Sequence, residues 1–326
     1  MSKSCLTITF TAREQAELLE TPIDSSELGP EEVAGRTLYT LISAGTELNG
    51  AYLGERFPRV PGYAAVFEVE QVGSGVETVQ VGDRRFCMGT HRSYQRATLQ
   101  DSLPVPAGLP SPAAPFARLM GVTMATLTTT PARPPELVLV TGLGPVGHLG
   151  AQIFQACGYQ VIAVDPDANR QAIMRQVGIR RVEARVPLDD PSVLGKVALH
   201  VECSGHEQAA LDGCKALQKG GEMSQVAAPW SKRTAIDAHE LLRLIFFNYL
   251  TVRSGWEWEL PLHPTPFRTN SIWANFAAAL DWLAQKRVVV DDLYDLVEPR
   301  DAQDVFQDLL HQRTESLAQV FDWSKL

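Results

Sequence analysis

The sequence predicts an α/β protein in which a doubly wound parallel sheet is joined to a β-rich domain. Three observations carry this. From about residue 137 onward, short apolar runs alternate with helical stretches. A glycine pattern, Gly142-x-Gly144-x-x-Gly147, falls between the first of these runs and the helix that follows it. The first third of the chain instead carries apolar, β-branched runs closed by turn signals.

Taken in order, Arg36–Ile42 and Ala65–Val72 read as strands, and Gly73-Ser74-Gly75 ends the second one in a turn. Val81-Gly82-Asp83-Arg84 marks a further turn before a strand. Pro104, Pro106, Pro110, Pro112 and Pro115 make the next stretch a connection. Leu137–Val140 is wholly apolar, as a strand covered on both faces requires. A helix over Pro145–Cys157, a second buried strand at Val161–Val164 and a helix over Ala168–Val177 follow. Val197–Val201, Glu222–Ala227 and Leu250–Arg253 are further strands, with helices around Gln208–Leu217 and Ala238–Phe246. In Ser271–Lys286 the residues Ile272, Phe276, Leu280 and Leu283 recur at helical spacing. A short strand and helix close the chain.

A chain of 326 residues has room for two domains, and 45% apolar with 21% charged residues is a globular composition. The net charge of -9, with no Lys or Arg run, argues against nucleic acid as the main partner. Met1 to Phe10 holds no apolar stretch of signal-peptide length, and Leu137–Val140 and Leu244–Phe247 are too short to cross a bilayer. Cys5, Cys87, Cys157, Cys203 and Cys214 are odd in number and scattered, which argues against a disulfide framework and for a reducing cytoplasm.

The glycine pattern gains its meaning from context. Gly142 permits a tight turn, Gly144 lets backbone approach a pyrophosphate, and Gly147 lets helix and strand pack closely. Pro145 and Val146 open a helix whose N-terminal N–H groups favour phosphate. Asp165 ends the next strand, where its carboxylate can accept both ribose hydroxyls and repel a 2′-phosphate, so NAD is expected over NADP; Arg170 is near enough to weaken that preference. Ser204 lies at a strand end where ligands of parallel sheets gather. His148 in the first helical turn reads as a core or surface imidazole, and Cys203 as a small buried residue.

Ser43-Ala44-Gly45-Thr46-Glu47, Val60-Pro61-Gly62-Tyr63, Val72-Gly73-Ser74-Gly75-Val76, Val81-Gly82-Asp83-Arg84, the glycine fingerprint and Glu202-Cys203-Ser204-Gly205 together resemble the medium-chain dehydrogenase/reductase family over nearly the whole chain. The resemblance implies a GroES-like catalytic domain from residues 1–117 and 271–326, a Rossmann domain over 118–270, and a homodimer or homotetramer. It also exposes departures. Zinc-dependent members have a Cys where this chain has Ala44, a His where it has Tyr63, and a third ligand near Ala117. Only Cys87 remains of a structural zinc lobe. Both zinc sites are therefore expected to be absent, placing the chain in a zinc-lacking branch. The Ser43–Glu47 and Pro61–Tyr63 segments are most similar to a branch that includes bacteriochlorophyllide hydroxyethyl dehydrogenases.

Without a metal, a hydrogen-bond donor must stabilise the reacting oxygen. By resemblance Thr46 matches the hydroxyl that begins a proton relay, although it can equally cap a helix. Tyr63, at a former ligand position, either donates from its phenol or fills the space. Glu47 is expected as a structural partner and His91 as a surface histidine or a base. Tyr52 and Phe57 are expected on a loop over the substrate cleft, and Trp256 and Trp258 near a dimer edge, where they can line a pocket for an apolar or aromatic small molecule. The leading expectation is zinc-independent hydride transfer between NAD(H) and an alcohol/carbonyl pair. The alternatives are reduction of an activated C=C bond with NAD(P)H, as in quinone and enoyl reductases, and a non-catalytic NAD-binding sensor. No membrane or nucleic-acid partner is expected.

Overall fold

The computed structural model describes residues 4–24 and 26–326. In chain order the strands and helices are β1 (Ser4–Ala12), β2 (Gln15–Pro22), β3 (Glu32–Leu41), α1 (Ala44–Glu47), β4 (Ala65–Val72), β5 (Arg84–Cys87), β6 (Tyr94–Thr98), β7 (Ser102–Pro104), α2 (Ala117–Thr129), β8 (Leu137–Thr141), α3 (Pro145–Ala156), β9 (Gln160–Val164), α4 (Ala168–Gln176), β10 (Arg181–Glu183), β11 (Val197–Glu202), α5 (Glu207–Ala216), β12 (Leu217–Gln225), α6 (Ala238–Asn248), β13 (Thr251–Ser254), α7 (Ile272–Ala284), β14 (Tyr294–Val297), α8 (Ala302–Leu310) and β15 (Ala318–Asp322). They divide into two compact units, Met1–Arg118 with Val290–Leu326, and Leu119–Val289.

The second unit holds a six-stranded sheet in the order β10-β9-β8-β11-β12-β13, every neighbour parallel. This is the doubly wound Rossmann order, whose reversal point lies between β8 and β11. Successive residues of β8 serve opposite faces. Val138 and Val140 join Ala163, Val201 and Phe154 in one core, while Leu139 joins Ile162, Val164 and Met223 in the other. That two-sided burial is why the strand had to be apolar throughout.

The first unit is built on a seven-stranded sheet in the order β14-β15-β3-β4-β5-β7, with β6 also paired to β3, and a separate β1-β2 hairpin. Phe10, Tyr52, Phe306 and Phe321 form its largest aromatic core. Tyr52 therefore does not cover a cleft. It is fully buried, its ring stacks on Phe306, and its hydroxyl donates to the Glu14 carbonyl at 2.8 Å and accepts from Gln307 at 2.9 Å. Phe57 packs on the same core. The expected loop over a cleft fails here because these rings found apolar partners on α8, an element separated from them by some 250 residues of sequence.

The second domain boundary also differs from expectation. It falls at Val289/Val290 rather than 270/271, because α7 belongs with the nucleotide-type unit. A Cβ on Gly121 of α2 would sit 2.4 Å from the Phe276 ring, so α7 packs there directly. Beyond α7, Gln152 of α3 donates to the Val289 carbonyl at 3.0 Å and accepts its N–H at 2.8 Å.

Two imidazoles are fully enclosed in this unit. Burial drives His148 down to about 4 and His200 down to about 3, from 6.5. Both are thus neutral when folded, and His200 pairs with the Thr141 hydroxyl at 2.8 Å. Their folded pKa values are depressed, so the unfolded chain takes up protons first as pH falls. Stability is complete above about pH 6.5 and is lost as pH falls towards 4 and 3. At pH 5 each histidine should cost roughly 2 kcal/mol. Thermal melts should show a marked drop between pH 7 and pH 5; a flat melting temperature across that range would contradict neutral burial.

Candidate active site

The glycine loop runs from β8 into α3. Gly142 has φ +82, in the left-handed region, and a Cβ there would lie 2.6 Å from the Ser204 backbone. A Cβ on Gly147 would lie 1.8 Å from the Gly142 carbonyl and 3.0 Å from Cys203 Cβ. Gly144 differs, since a Cβ there meets nothing within 4 Å. It is the N-cap of α3, with no side chain answering the N–H groups of the first turn, where Pro145 and Val146 are half-buried. The loop thus leaves open space before unsatisfied helix donors, which fits the pyrophosphate of a dinucleotide.

Asp165 is buried at the end of β9. Its carboxylate accepts the Leu143 N–H at 2.7 Å and the Asp167 N–H at 2.9 Å, and Arg170 Nη1 stands 3.4 Å from Oδ2. A carboxylate has about four acceptor positions, so capacity remains for a ribose hydroxyl. Asp167 caps α4 by accepting from the N–H groups of Asn169 and Arg170, which fixes where Arg170 starts.

Ser204 is held from beneath. The fully buried Glu202 accepts from the Ser204 N–H at 2.8 Å, the Gly205 N–H at 3.0 Å, the Ser204 hydroxyl and Gln225 Nε2. This charge is affordable in the interior only because it is so fully hydrogen-bonded. Burial, with Glu202 adding to it, pushes the Cys203 thiol far up, so it is no nucleophile. Beyond Ser204, at the carboxyl ends of β11, β12 and β13, opens a pocket of about 900 Å³. Its walls include Met223, Val226, Trp230, Leu241, Val252 and Trp256.

In the other unit, the turn Pro61-Gly62-Tyr63 leads into β4. Gly62 has φ +94, and a Cβ there would meet His91 at 2.7 Å. His91 is therefore not a surface residue. It is fully buried, with Nε2 2.9 Å from Glu47 Oε2 and Nδ1 2.7 Å from the Thr40 hydroxyl. Trp323 Nε1 donates to that hydroxyl at 2.9 Å, so Thr40 links Trp323 to the His91–Glu47 pair. Glu47 Oε1 accepts the Ser43 N–H at 2.8 Å, fixing the start of α1. Thr46 is exposed and caps nothing; Ser43 is the N-cap, so the helix-capping alternative for Thr46 falls away.

The half-buried Tyr63 phenol meets the hydroxyls of Ser43 and Thr46. Burial raises its pKa above 10, against the opposing pull of those hydroxyls and of Arg118, so it is a protonated donor at neutral pH. The Arg118 guanidinium lies 4.7 Å from the centre of the Tyr63 ring. The two expected catalytic residues are thus brought together, with Ser43 and Arg118 beside them. Neither Ser43 nor Arg118 is among the sequence candidates. The signal for Arg118 is a single charge at the head of the apolar helix ARLMGVTMATLTT. Ala44, Tyr63 and Ala117 offer no set of zinc donors, and among the described residues no group of three or more His, Cys, Asp or Glu side chains comes together to hold a metal. No helix of the described residues is long and apolar enough to cross a membrane.

Residues 145–259 match the zinc-binding dehydrogenase family model. The L-threonine 3-dehydrogenase of Thermococcus kodakarensis is 27% identical over 288 residues, 74% of this chain and 81% of that protein. The crystal structure of galactitol-1-phosphate dehydrogenase from Escherichia coli superposes with a TM-score of 0.82 at 15% identity, covering 97% of this chain and 99% of that one. Acetophenone reductase from Geotrichum candidum, solved with NAD, gives a TM-score of 0.79 at 16% identity over 100% and 99% of the two chains. With this sheet order and glycine loop, the chain is similar to zinc-binding dehydrogenases over residues 145–259 and to L-threonine 3-dehydrogenase over most of its length, and it has the fold of the medium-chain dehydrogenase/reductases. Its fold joins a Rossmann unit to a GroES-like one.

Proposed function

We propose that the protein transfers hydride between NAD(H) and an alcohol/carbonyl pair without zinc, with Tyr63 as proton donor and Thr46 as its link to solvent. The observation that supports this best is the half-buried Tyr63, its ring 4.7 Å from the Arg118 guanidinium, at a position where zinc members have a ligand. Bound nicotinamide supplies or accepts the hydride. The Tyr63 phenol donates to the substrate oxygen and gives up its proton as negative charge develops there. Thr46, being exposed, exchanges that proton with water. Gly142, Gly144, Pro145, Val146, Gly147 and Ser204 form the cradle for the dinucleotide, and Asp165 with Arg170 reads its ribose.

Asp165 supports NAD over NADP, since its charge opposes a 2′-phosphate, and Arg170 offsets only part of that charge. The pocket at the ends of β11–β13 supports a small substrate with an apolar or aromatic body. The edge strand β13, with Phe246, Phe247 and Trp256 exposed near it in sequence, supports a homodimer or homotetramer. A single-chain mass in solution would sink that assembly. The five free thiols fit a reducing cytoplasm.

The test is an assay of chelator-treated protein against secondary alcohols on aromatic rings, the matching ketones, enones and quinones, with NADH and NADPH compared. The expected result is NADH-linked turnover of the alcohol/ketone pair with no metal in the active protein. About one tightly held zinc per chain would overturn the zinc-free chemistry. Turnover confined to enones or quinones with NADPH would favour C=C reduction, and tight NADH binding with no turnover would favour a sensor.

A further inference from the structure

We infer that Arg118 supplies, through Tyr63, the positive charge that a metal would otherwise bring to the reacting oxygen. This deepens the alcohol/carbonyl reading and rests on it. Arg118 is a positioning residue in this scheme, because it acts on the phenol rather than on the substrate.

The geometry is specific. Arg118 is only 5% exposed, and its guanidinium faces the Tyr63 ring at 4.7 Å. A cation over an aromatic face at this distance is attracted to the ring, and the attraction grows when the ring carries the electron density of a phenolate. Arg118 also directly follows Ala117, the position of the third expected zinc ligand. The charge therefore enters the site next to where a ligand side chain would have entered.

The other groups facing Tyr63 do not duplicate this role. From α1 come the neutral hydroxyls of Ser43 and Thr46, and the Glu47 carboxylate. Glu47 opposes ionisation of the phenol, but its two oxygens are engaged by the Ser43 N–H and by His91. His91, from the loop after β5, is turned to Glu47 and Thr40. From α2 comes Arg118, the only cation among the described groups acting on the phenol.

The step balances as follows. In carbonyl reduction a hydride adds its electron pair to the carbonyl carbon, and the C=O π pair moves onto oxygen. That oxygen takes the Tyr63 proton, the phenolate left behind lies under the guanidinium, and Thr46 returns a proton to it from water. Alcohol oxidation runs the same path backwards, with the phenolate as base. The guanidinium lowers the energy of the one species that burial and Glu47 both disfavour.

The test separates this pair from the reaction it serves. Tyr63 is replaced by a fluorinated tyrosine that ionises within the stable pH range, and the ionisation is followed by fluorine NMR in the otherwise native protein and with Arg118→Met. The midpoint should rise by about one to two pH units on loss of the charge, and Arg118→Lys should recover most of the difference. In the unlabelled protein the pH profile of alcohol oxidation should move in the same direction, with a roughly 10- to 100-fold loss near neutral pH that shrinks as pH rises. If Arg118→Met does not fold, Arg118→Gln carries the same titration with a polar head in place. An unchanged midpoint would overturn the inference. A shifted midpoint in a protein that turns over no alcohol or ketone would sink the proposed reaction and leave the cation–phenol pair standing.

Discussion

Tyr63→Phe should lower alcohol or ketone turnover by about 10²- to 10⁴-fold while leaving NADH affinity within roughly two-fold. The substitution removes one hydroxyl and keeps the ring that Arg118 covers, so packing is preserved. What disappears is the donor among Ser43, Thr46 and Tyr63 that the enclosed environment keeps protonated. Loss of an oxyanion donor and loss of a proton source act on the same transition state, which is why the effect should fall on kcat rather than on binding. Thr46→Val should cost less, because Thr46 is exposed and water can still reach the half-buried phenol past it. Steady-state kinetics with a fluorescence titration of NADH would check both. A Tyr63→Phe enzyme with native kcat would remove the phenol from the reaction.

Gly147→Val should abolish measurable NADH binding and lower stability by about 1–3 kcal/mol. Any Cβ at this position lands 1.8 Å from the Gly142 carbonyl and 3.0 Å from Cys203 Cβ, and a backbone atom cannot swing aside as a flexible side chain can. α3 would have to move off β8, taking its N-terminal donors with it. Gly144→Ala is the control with the opposite signature. Its Cβ meets no protein atom, so stability should hardly change, yet it enters the space assigned to the pyrophosphate and should weaken NADH by about 10-fold or more. Denaturant melts and NADH titration of both variants would separate the two effects. Native NADH affinity in Gly144→Ala would displace the phosphates from this loop.

The Rossmann half was the more legible in sequence. Its strands are buried on both faces, so the chain must spell them as continuous apolar runs, and the loop leaves a glycine wherever backbone meets backbone. Leu137–Val140 and Gly142–Gly147 carry that message locally. The other half is assembled from distant pieces, and its residues take their surroundings from partners that no local pattern reveals. His91 reads as a surface histidine until Glu47, Thr40 and Trp323 arrive from three other segments. Tyr52 reads as a cleft aromatic until α8 brings Phe306 against it. Thr46 and Tyr63 emerged only through family resemblance. Arg118 was passed over because a lone arginine heading a helix looks like an ordinary exposed charge. The boundary after α7 was misplaced for a related reason, since it depends on Gln152 gripping the Val289 backbone.

The position of β15 sets an order of events during synthesis. This strand lies between β14 and β3 in its sheet and follows the whole of the nucleotide-type unit in the chain. Trp323, just after it, completes the chain of contacts through Thr40 and His91 to Glu47. The nucleotide-type unit is translated in full before that point and can fold first. A nascent chain halted before Ala318 would already hold its glycine loop in place, while the Thr40–His91–Glu47 contacts in the other unit still waited for Trp323.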